Sequence, residues 1–146
     1  MNLEILFNIA NLFVLPFWFL IIFVPNWSIT KKIMESYYIF IPLIAVYIYL
    51  FITGLNPESI ESLANPDLNG LAKAFSDPTI TFAGWVHFLV LDLFVGRYIY
   101  WQGQKEKIWT IHSLILCLFA GPIGFLSHII TREIQSKFLV KEKLIS

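Results

Sequence analysis

One apolar stretch of the sequence carries three ionisable side chains, and any chemistry is expected there. His87, Asp92 and Arg97 follow one another at intervals of five residues within the segment 82–101. A carboxylate near the middle of a bilayer costs at least about 2.5 kcal/mol, so Asp92 should face protein, water or a ligand rather than lipid tails. This makes Asp92 the most informative residue of the chain.

The partner of Asp92 should come from another helix. Five residues on an ideal helix correspond to a rotation of about 140°, so neither His87 nor Arg97 is well placed to pair with Asp92 on the same helix. Asp92 instead shares a helical stripe with Trp85. Two interpretations of Arg97 remain open, since it can pair with Asp92 or extend to phosphate headgroups at the membrane edge.

The segment 109–130 is the natural source of such partners, because a short connection joins it to 82–101 and favours antiparallel packing. Histidines His87 and His112 would then differ in height by about 15 Å, which disfavours a bis-histidine haem. A pair of His87 and His128 stays open, and we expect no metal and no cofactor. In this antiparallel arrangement the residues predicted to lie at the same depth in the membrane are Arg97 and His112, Asp92 and Cys117, and His87 and Pro122. His128 is predicted to lie near the beginning of the segment 82–101.

The composition indicates a membrane protein. Hydrophobic residues make up 58% of the 146 residues and charged residues 14%, whereas a soluble domain averages about 25% charged residues. The formal net charge is zero, which argues against a nucleic acid as a partner. The single cysteine, Cys117, excludes an internal disulfide and a cysteine-based zinc cluster.

Four apolar stretches approach the roughly 20 residues that a spanning helix needs. They cover 4–24, 37–55, 82–101 and 109–130. We therefore predict an all-α integral membrane bundle of four transmembrane helices, forming a single domain over 1–146. Lysines and arginines occur on both sides of the predicted topology, so the orientation is left open. Kinks are expected at Pro16, Pro42 and Gly121-Pro122.

The connection 56–79 between the second and third stretches should contain helix. Asn56-Pro57 and Asn65-Pro66 each place a capping side chain before a proline at the first helical position. Apolar residues from Leu68 to Phe75 follow helical spacing, and Ser76-Asp77-Pro78 should end that helix. We predict a short helix at the membrane surface, with a lid over a site between the helices as the alternative.

Five short motifs stand out in the second half of the chain: Phe75-Ser76-Asp77-Pro78, Gly84-Trp85-Val86-His87, Asp92-Leu93-Phe94-Val95-Gly96-Arg97, Trp101-Gln102-Gly103 and Gly121-Pro122-Ile123-Gly124. With these motifs, the region from Leu71 to Gly103 resembles the ABA4-like (neoxanthin synthase-like) membrane family of plants and cyanobacteria. The second half of the chain carries the resemblance, and the first half shares its hydrophobic pattern. Plant members have an N-terminal extension for plastid import that this sequence lacks, which indicates a cyanobacterial-type member.

The resemblance implies a role in xanthophyll metabolism, the isomerisation of the carotenoid epoxide violaxanthin to the allenic neoxanthin. It also implies a cyanobacterial plasma or thylakoid membrane, or a plastid membrane, as the location. The reaction needs an acid at the epoxide oxygen and a base at the polyene, but no electron carrier. We assign the acid to Asp92, the base to His87 or His112, stabilisation of the carboxylate to Arg97, and substrate contact to Trp85, Trp101 and His128.

A second interpretation is a non-catalytic carotenoid- or lipid-binding protein that aids assembly or photoprotection of membrane complexes. A transporter is disfavoured, because the sequence has one central charge and no internal repeat. The expected partners are a carotenoid or another long apolar ligand, membrane lipid and a second copy of the chain. Pigment that copurifies with the protein would distinguish conversion from binding.

Overall fold

In a computed structural model, residues 2–145 are described, except for the side chains of Glu58 and of residues 138–145. The outer limits of the predicted domain, Met1 and Ser146, lie outside the described residues. The described chain is helical and contains no strand, which confirms the all-α prediction. The helices are α1 (Leu3–Phe23), α2 (Ser28–Glu35), α3 (Ile41–Gly54), α4 (Pro57–Ala64), α5 (Leu68–Ala74), α6 (Pro78–Glu106), α7 (Ile111–Phe119) and α8 (Gly121–Ile145), with a 3-10 turn at Tyr38–Phe40 before α3.

Two described helices, α1 and α6, are long and apolar enough to cross a membrane, and a third span arises if Ser28–Glu35 and Tyr38–Gly54 are taken together. Helix α1 covers the predicted stretch 4–24 except for its last residue, and α6 contains the stretch 82–101. The count of four crossings is not confirmed, because α3 has only 14 residues and the stretch 109–130 is broken after Phe119. Pro16 lies inside α1, whereas Pro42 occupies the first turn of α3, where proline is compatible with a straight helix.

The chain divides into two compact units. The first unit consists of Met1–Phe13 and Tyr37–Val90, and the second of Val14–Ser36 and Leu91–Ser146. Small residues allow close packing inside each unit. In the first unit a Cβ added to Gly54 would lie 2.7 Å from the side chain of Ile80, and in the second a Cβ on Gly96 would lie 2.5 Å from the ring of Trp18.

Two short capped helices occupy the connection before α6. The Asn56 side chain accepts a hydrogen bond from the Ser59 N–H at 2.9 Å, and the Ser59 hydroxyl accepts one from the Asn56 N–H at 2.8 Å, which confirms the cap predicted at Asn56. The cap predicted at Asn65 is wrong, because Asn65 ends α4 and Asp67 caps α5 through the N–H groups of Asn69 and Gly70. Asp67 follows Pro66, and its carboxylate is close enough to accept hydrogen bonds from the first backbone N–H groups of α5.

Helices α7 and α8 form an antiparallel hairpin in the second unit. Ala120 between them is extended, with φ −159° and ψ 93°. The chain then turns back, because His112 of α7 contacts Thr131 of α8 at 2.8 Å and the Trp109 N–H donates to Gln135 at 3.3 Å. The single kinked helix expected over 109–130 is therefore wrong. Gly121-Pro122 begins a new helix instead of bending an existing one, since proline fits the first helical turn.

Candidate functional site

His87 lies at the wall of an apolar cavity of about 230 Å³ in the first unit. Its imidazole ring is 5.8 Å, centroid to centroid, from the ring of Tyr47. The cavity is walled mainly by hydrocarbon, and its polar side chains are His87, Tyr47 and Ser59. Other lining residues are Phe51, Leu63, Leu71, Phe75 and Phe88.

Local hydrogen bonds fix one wall of this cavity, the side chain of Phe75. Asp77 begins α6 by accepting hydrogen bonds from the N–H groups of Thr79 at 2.7 Å and Ile80 at 3.1 Å. The Thr81 hydroxyl donates to the Phe75 carbonyl, which ties the end of α5 to the first turn of α6. The Phe75 ring then packs on Gly84, where an added Cβ would lie only 2.7 Å from the ring.

A second apolar cleft, of about 510 Å³, adjoins this cavity in the first unit. Phe75, Gly84 and Phe88 line both spaces. Trp85, a predicted substrate contact, lines the second cleft and donates its indole N–H to the Asn11 side chain at 2.9 Å. The first unit therefore offers adjoining aromatic-lined spaces on the two sides of Phe75.

Asp92 lies in the second unit beside the tip of the α7–α8 hairpin. Its carboxylate accepts a hydrogen bond from the backbone N–H of Gly121, the first residue of α8. The Cys117 thiol donates to the Asp92 backbone carbonyl at 3.4 Å, which confirms the predicted register of these two residues. A Cβ on Gly121 would collide with the carboxylate. As predicted, Asp92 contacts protein groups from another helix.

Arg97 and Trp101 contact the end of α2 in the second unit. Arg97 donates to the carbonyl of Met34 at 2.6 Å and to that of Glu35 at 3.3 Å. The Trp101 indole N–H donates to the same Met34 carbonyl at 3.2 Å. A cation at the carbonyl end of a helix is stabilised by the helix dipole. The sequence did not indicate this arrangement, because α2 was not recognised as a helix.

The remaining histidines meet between α6, α7 and α8 in the second unit. His112 contacts Thr131 at 2.8 Å, and the buried His128 lies edge-on to the ring of Tyr98, with centroids 6.4 Å apart. The predicted position of His128 near the beginning of the segment 82–101 is wrong, because the chain reverses at Ala120. The sequence analysis did not single out the polar residues around these histidines. Their hydroxyl and amide side chains within apolar helices are the feature that could have indicated them: Gln102, Ser113, Ser127 and Thr131.

Comparison with known proteins confirms the family resemblance. Residues 5–128 match the family described as ABA4-like, ABA DEFICIENT 4-like. The chain is 38% identical over 133 residues to Protein ABA DEFICIENT 4, chloroplastic, of Arabidopsis thaliana, a match that covers 88% of the chain and 60% of that protein. The chain thus spans about 60% of the length of this relative. No solved structure matches the chain. The sequence motifs, the helical membrane fold and these comparisons together show that the chain belongs to the ABA4-like family.

Proposed function

We propose that the protein acts in xanthophyll metabolism and isomerises a carotenoid epoxide in the manner of a neoxanthin synthase. Membership of the ABA4-like family supports the metabolic role. The observation that carries the reaction is the imidazole of His87 at the wall of an aromatic-lined apolar cavity. Such a cavity suits the end ring of a carotenoid, and the adjoining cleft suits the start of the polyene.

His87 is suited to both proton transfers of this isomerisation. In its protonated form it gives a proton to the epoxide oxygen while the bond between that oxygen and the polyene-side ring carbon breaks. The neutral imidazole then removes the proton from the adjacent polyene carbon, and that electron pair forms the second double bond of the allene. The oxygen remains on the other ring carbon as a hydroxyl group, so no atom or electron is gained or lost. Proton transfer of this kind contributes about 10²- to 10⁴-fold in rate.

The other predicted site residues take different places in this proposal. Trp85 contacts the substrate from the second cleft. Arg97 and Trp101 hold α2 against α6 and are assigned to positioning. The acid role of Asp92 and the base role of His112 stay predictions, and so do the substrate contacts of Trp101 and His128. The carboxylate of Asp92 already has a structural partner, the N–H of Gly121.

The experiment is conversion of violaxanthin by the full chain reconstituted in liposomes, with the allenic product separated by chromatography. The wild type should form this product. The variant His87→Gln should form at least about 100-fold less while retaining bound pigment. Lys105→Gln, at the exposed end of α6, is the control and should keep wild-type turnover.

The non-catalytic alternative gives a different result in the same assay. A carotenoid-binding protein would retain pigment in both variants and would form no allenic product with any of them. Full turnover by His87→Gln would remove His87 from the mechanism even if the wild type is an enzyme. A location in a cyanobacterial plasma or thylakoid membrane, or in a plastid membrane, forms part of this proposal.

A further inference from the structure

Four polar atoms with no hydrogen-bond partner in the described structure belong to one group of side chains in the second unit. They are Nδ1 of His112, both ring nitrogens of His128 and Oε1 of Gln102, and all four are buried. His128 is 2% exposed. Buried polar atoms are nearly always paired, so a group of this size calls for a partner.

The hydrogen bonds around His112 are compatible with a lone pair on its buried Nδ1. The Thr131 hydroxyl donates to the Ser127 carbonyl at 2.9 Å, and its oxygen lies 2.8 Å from Nε2 of His112, which also lies 3.1 Å from the Ser113 hydroxyl. With the ring proton on Nε2, Nδ1 is a buried acceptor. A histidine that binds a metal through one nitrogen typically donates a hydrogen bond from the other.

Gln102 and His128 add further acceptors to this group. The Gln102 amide nitrogen donates to the Tyr98 hydroxyl at 3.1 Å, which leaves Oε1 with free lone pairs. The Tyr98 ring also contacts the ring of His128, and His112 is near enough to His128 to interact with it electrostatically. A neutral imidazole has one lone pair and one N–H. With the ring proton of His112 on Nε2, the group presents three acceptors, from α6, α7 and α8, and a single donor.

We propose that His112, His128 and Gln102 bind a divalent transition-metal ion. Imidazole nitrogens suit Zn²⁺, Fe²⁺, Cu²⁺ and Ni²⁺. A single N–H donor cannot pair with three acceptors, whereas one cation can bind all three. Among the described residues no group of three or more histidine, cysteine, aspartate or glutamate side chains could hold a metal, and here the third ligand is an amide oxygen. Arg132, which lies near His128, forms an ion pair with Glu106 at 2.8 Å, so its charge is compensated.

The test measures metal content of the full chain in detergent. The protein is stripped with a chelator, exposed to Zn²⁺, desalted and analysed by mass spectrometry of the metal. We expect about one Zn²⁺ per chain in the wild type and its loss in His112→Ala and His128→Ala. His87→Gln, which changes the histidine of the first unit, is the matched control and should retain the ion. Thr131→Val removes the hydroxyl that contacts Nε2 of His112 and should weaken binding about 10- to 100-fold.

A gain-of-affinity variant keeps the test decisive if the histidine variants fail to fold. Gln102→Glu supplies a carboxylate in place of the amide and should tighten Zn²⁺ binding about tenfold or more. The proposal is overturned if the wild type holds no more Zn²⁺ than His112→Ala, or if Gln102→Glu shows no gain. Ordered water would then be the partner of these atoms. The metal readout is independent of carotenoid turnover, so the proposed function is tested separately.

Discussion

Asp92, predicted from the sequence to be a catalytic acid, also has a structural role, because its carboxylate contacts the beginning of α8. A carboxylate inside a membrane was expected to face protein, and it accepts a hydrogen bond from the Gly121 N–H. The same bond satisfies an amide at the beginning of α8 that has no partner within its own helix. The sequence could predict that Asp92 needs a partner, because the cost of exposure is general. It could not predict a backbone amide as that partner, since this depends on the break at Ala120.

Two substitutions of Asp92 separate tethering from acid catalysis. Asp92→Asn keeps an oxygen that can accept the Gly121 N–H but has no acidic proton, so we expect thermal stability close to that of the wild type, while epoxide turnover reports separately on the acid role. Asp92→Leu leaves that amide without a partner and should lower the free energy of unfolding by about 1–3 kcal/mol. Thermal unfolding in detergent measures the stability of both variants. Loss of turnover in Asp92→Asn at unchanged stability would support the acid role predicted for Asp92, and unchanged turnover would leave both proton transfers to His87.

At the scale of elements, the α7–α8 hairpin depends on glycines at its tip. A Cβ on Gly121 would collide with the Asp92 carboxylate, and one on Gly124 would collide with the backbone of Cys117. Backbone atoms cannot move aside as a side chain can. The sequence placed Cys117 beside Asp92 correctly, because a short loop fixes the register of the elements on either side of it. Beyond Ala120 the same reasoning failed, since it took Gly121-Pro122 for a kink.

The variant Gly124→Ala tests this tip directly. It should destabilise the protein by about 1–3 kcal/mol, the usual cost of overpacking a tight contact. The conservative control Ile123→Val alters the exposed neighbour of Gly124 and should leave the unfolding temperature unchanged. A Gly124→Ala protein as stable as the control would mean that the two helices do not approach each other as closely as the hairpin requires.

The contact between α5 and α6 makes a second element-scale prediction. Gly84→Ala should push the Phe75 ring out of its place, since the new Cβ would lie 2.7 Å from that ring. Both apolar spaces share this wall, so carotenoid binding and turnover should fall, with pigment retention measured by absorption. The double variant Gly84→Ala/Phe75→Ala removes the ring that the Cβ meets. Recovery of pigment binding in the double variant is expected, because no ring is left for the added Cβ to displace into these spaces, and equal loss in both would contradict displacement of the ring as the cause.

At the scale of the molecule, the hairpin changes the membrane topology expected for the C-terminal part. A continuous helix over 109–130 would place the two ends of that segment on opposite sides of the bilayer. The paired helices instead bring Arg132 back to Glu106, with hydrogen bonds of 2.8 and 2.9 Å. The apolar composition indicates which segments enter lipid. It does not distinguish a helix that crosses the bilayer from a hairpin that enters and leaves on the same side, because both need similar hydrophobicity.

Single cysteines distinguish these topologies. In a Cys117→Ala background, Lys105→Cys and Lys137→Cys should react with a membrane-impermeant maleimide from the same side of sealed vesicles. Labelling of the two positions from opposite sides would show a fourth crossing and would contradict the hairpin. Detergent-permeabilised vesicles, in which both cysteines should react, provide the control for accessibility.

The polar contacts inside the hairpin also constrain how the chain is made. During synthesis α7 leaves the ribosome first, and at that moment His112 and Ser113 have neither Thr131 nor Ser127, with which they interact in the folded protein. Entry of α7 alone into hydrocarbon would strip water from these groups without replacing it. Helix α7 is therefore expected to stay at the headgroup layer until residues beyond Thr131 have left the ribosome. We therefore expect the two helices to enter the bilayer together, after both have been synthesised.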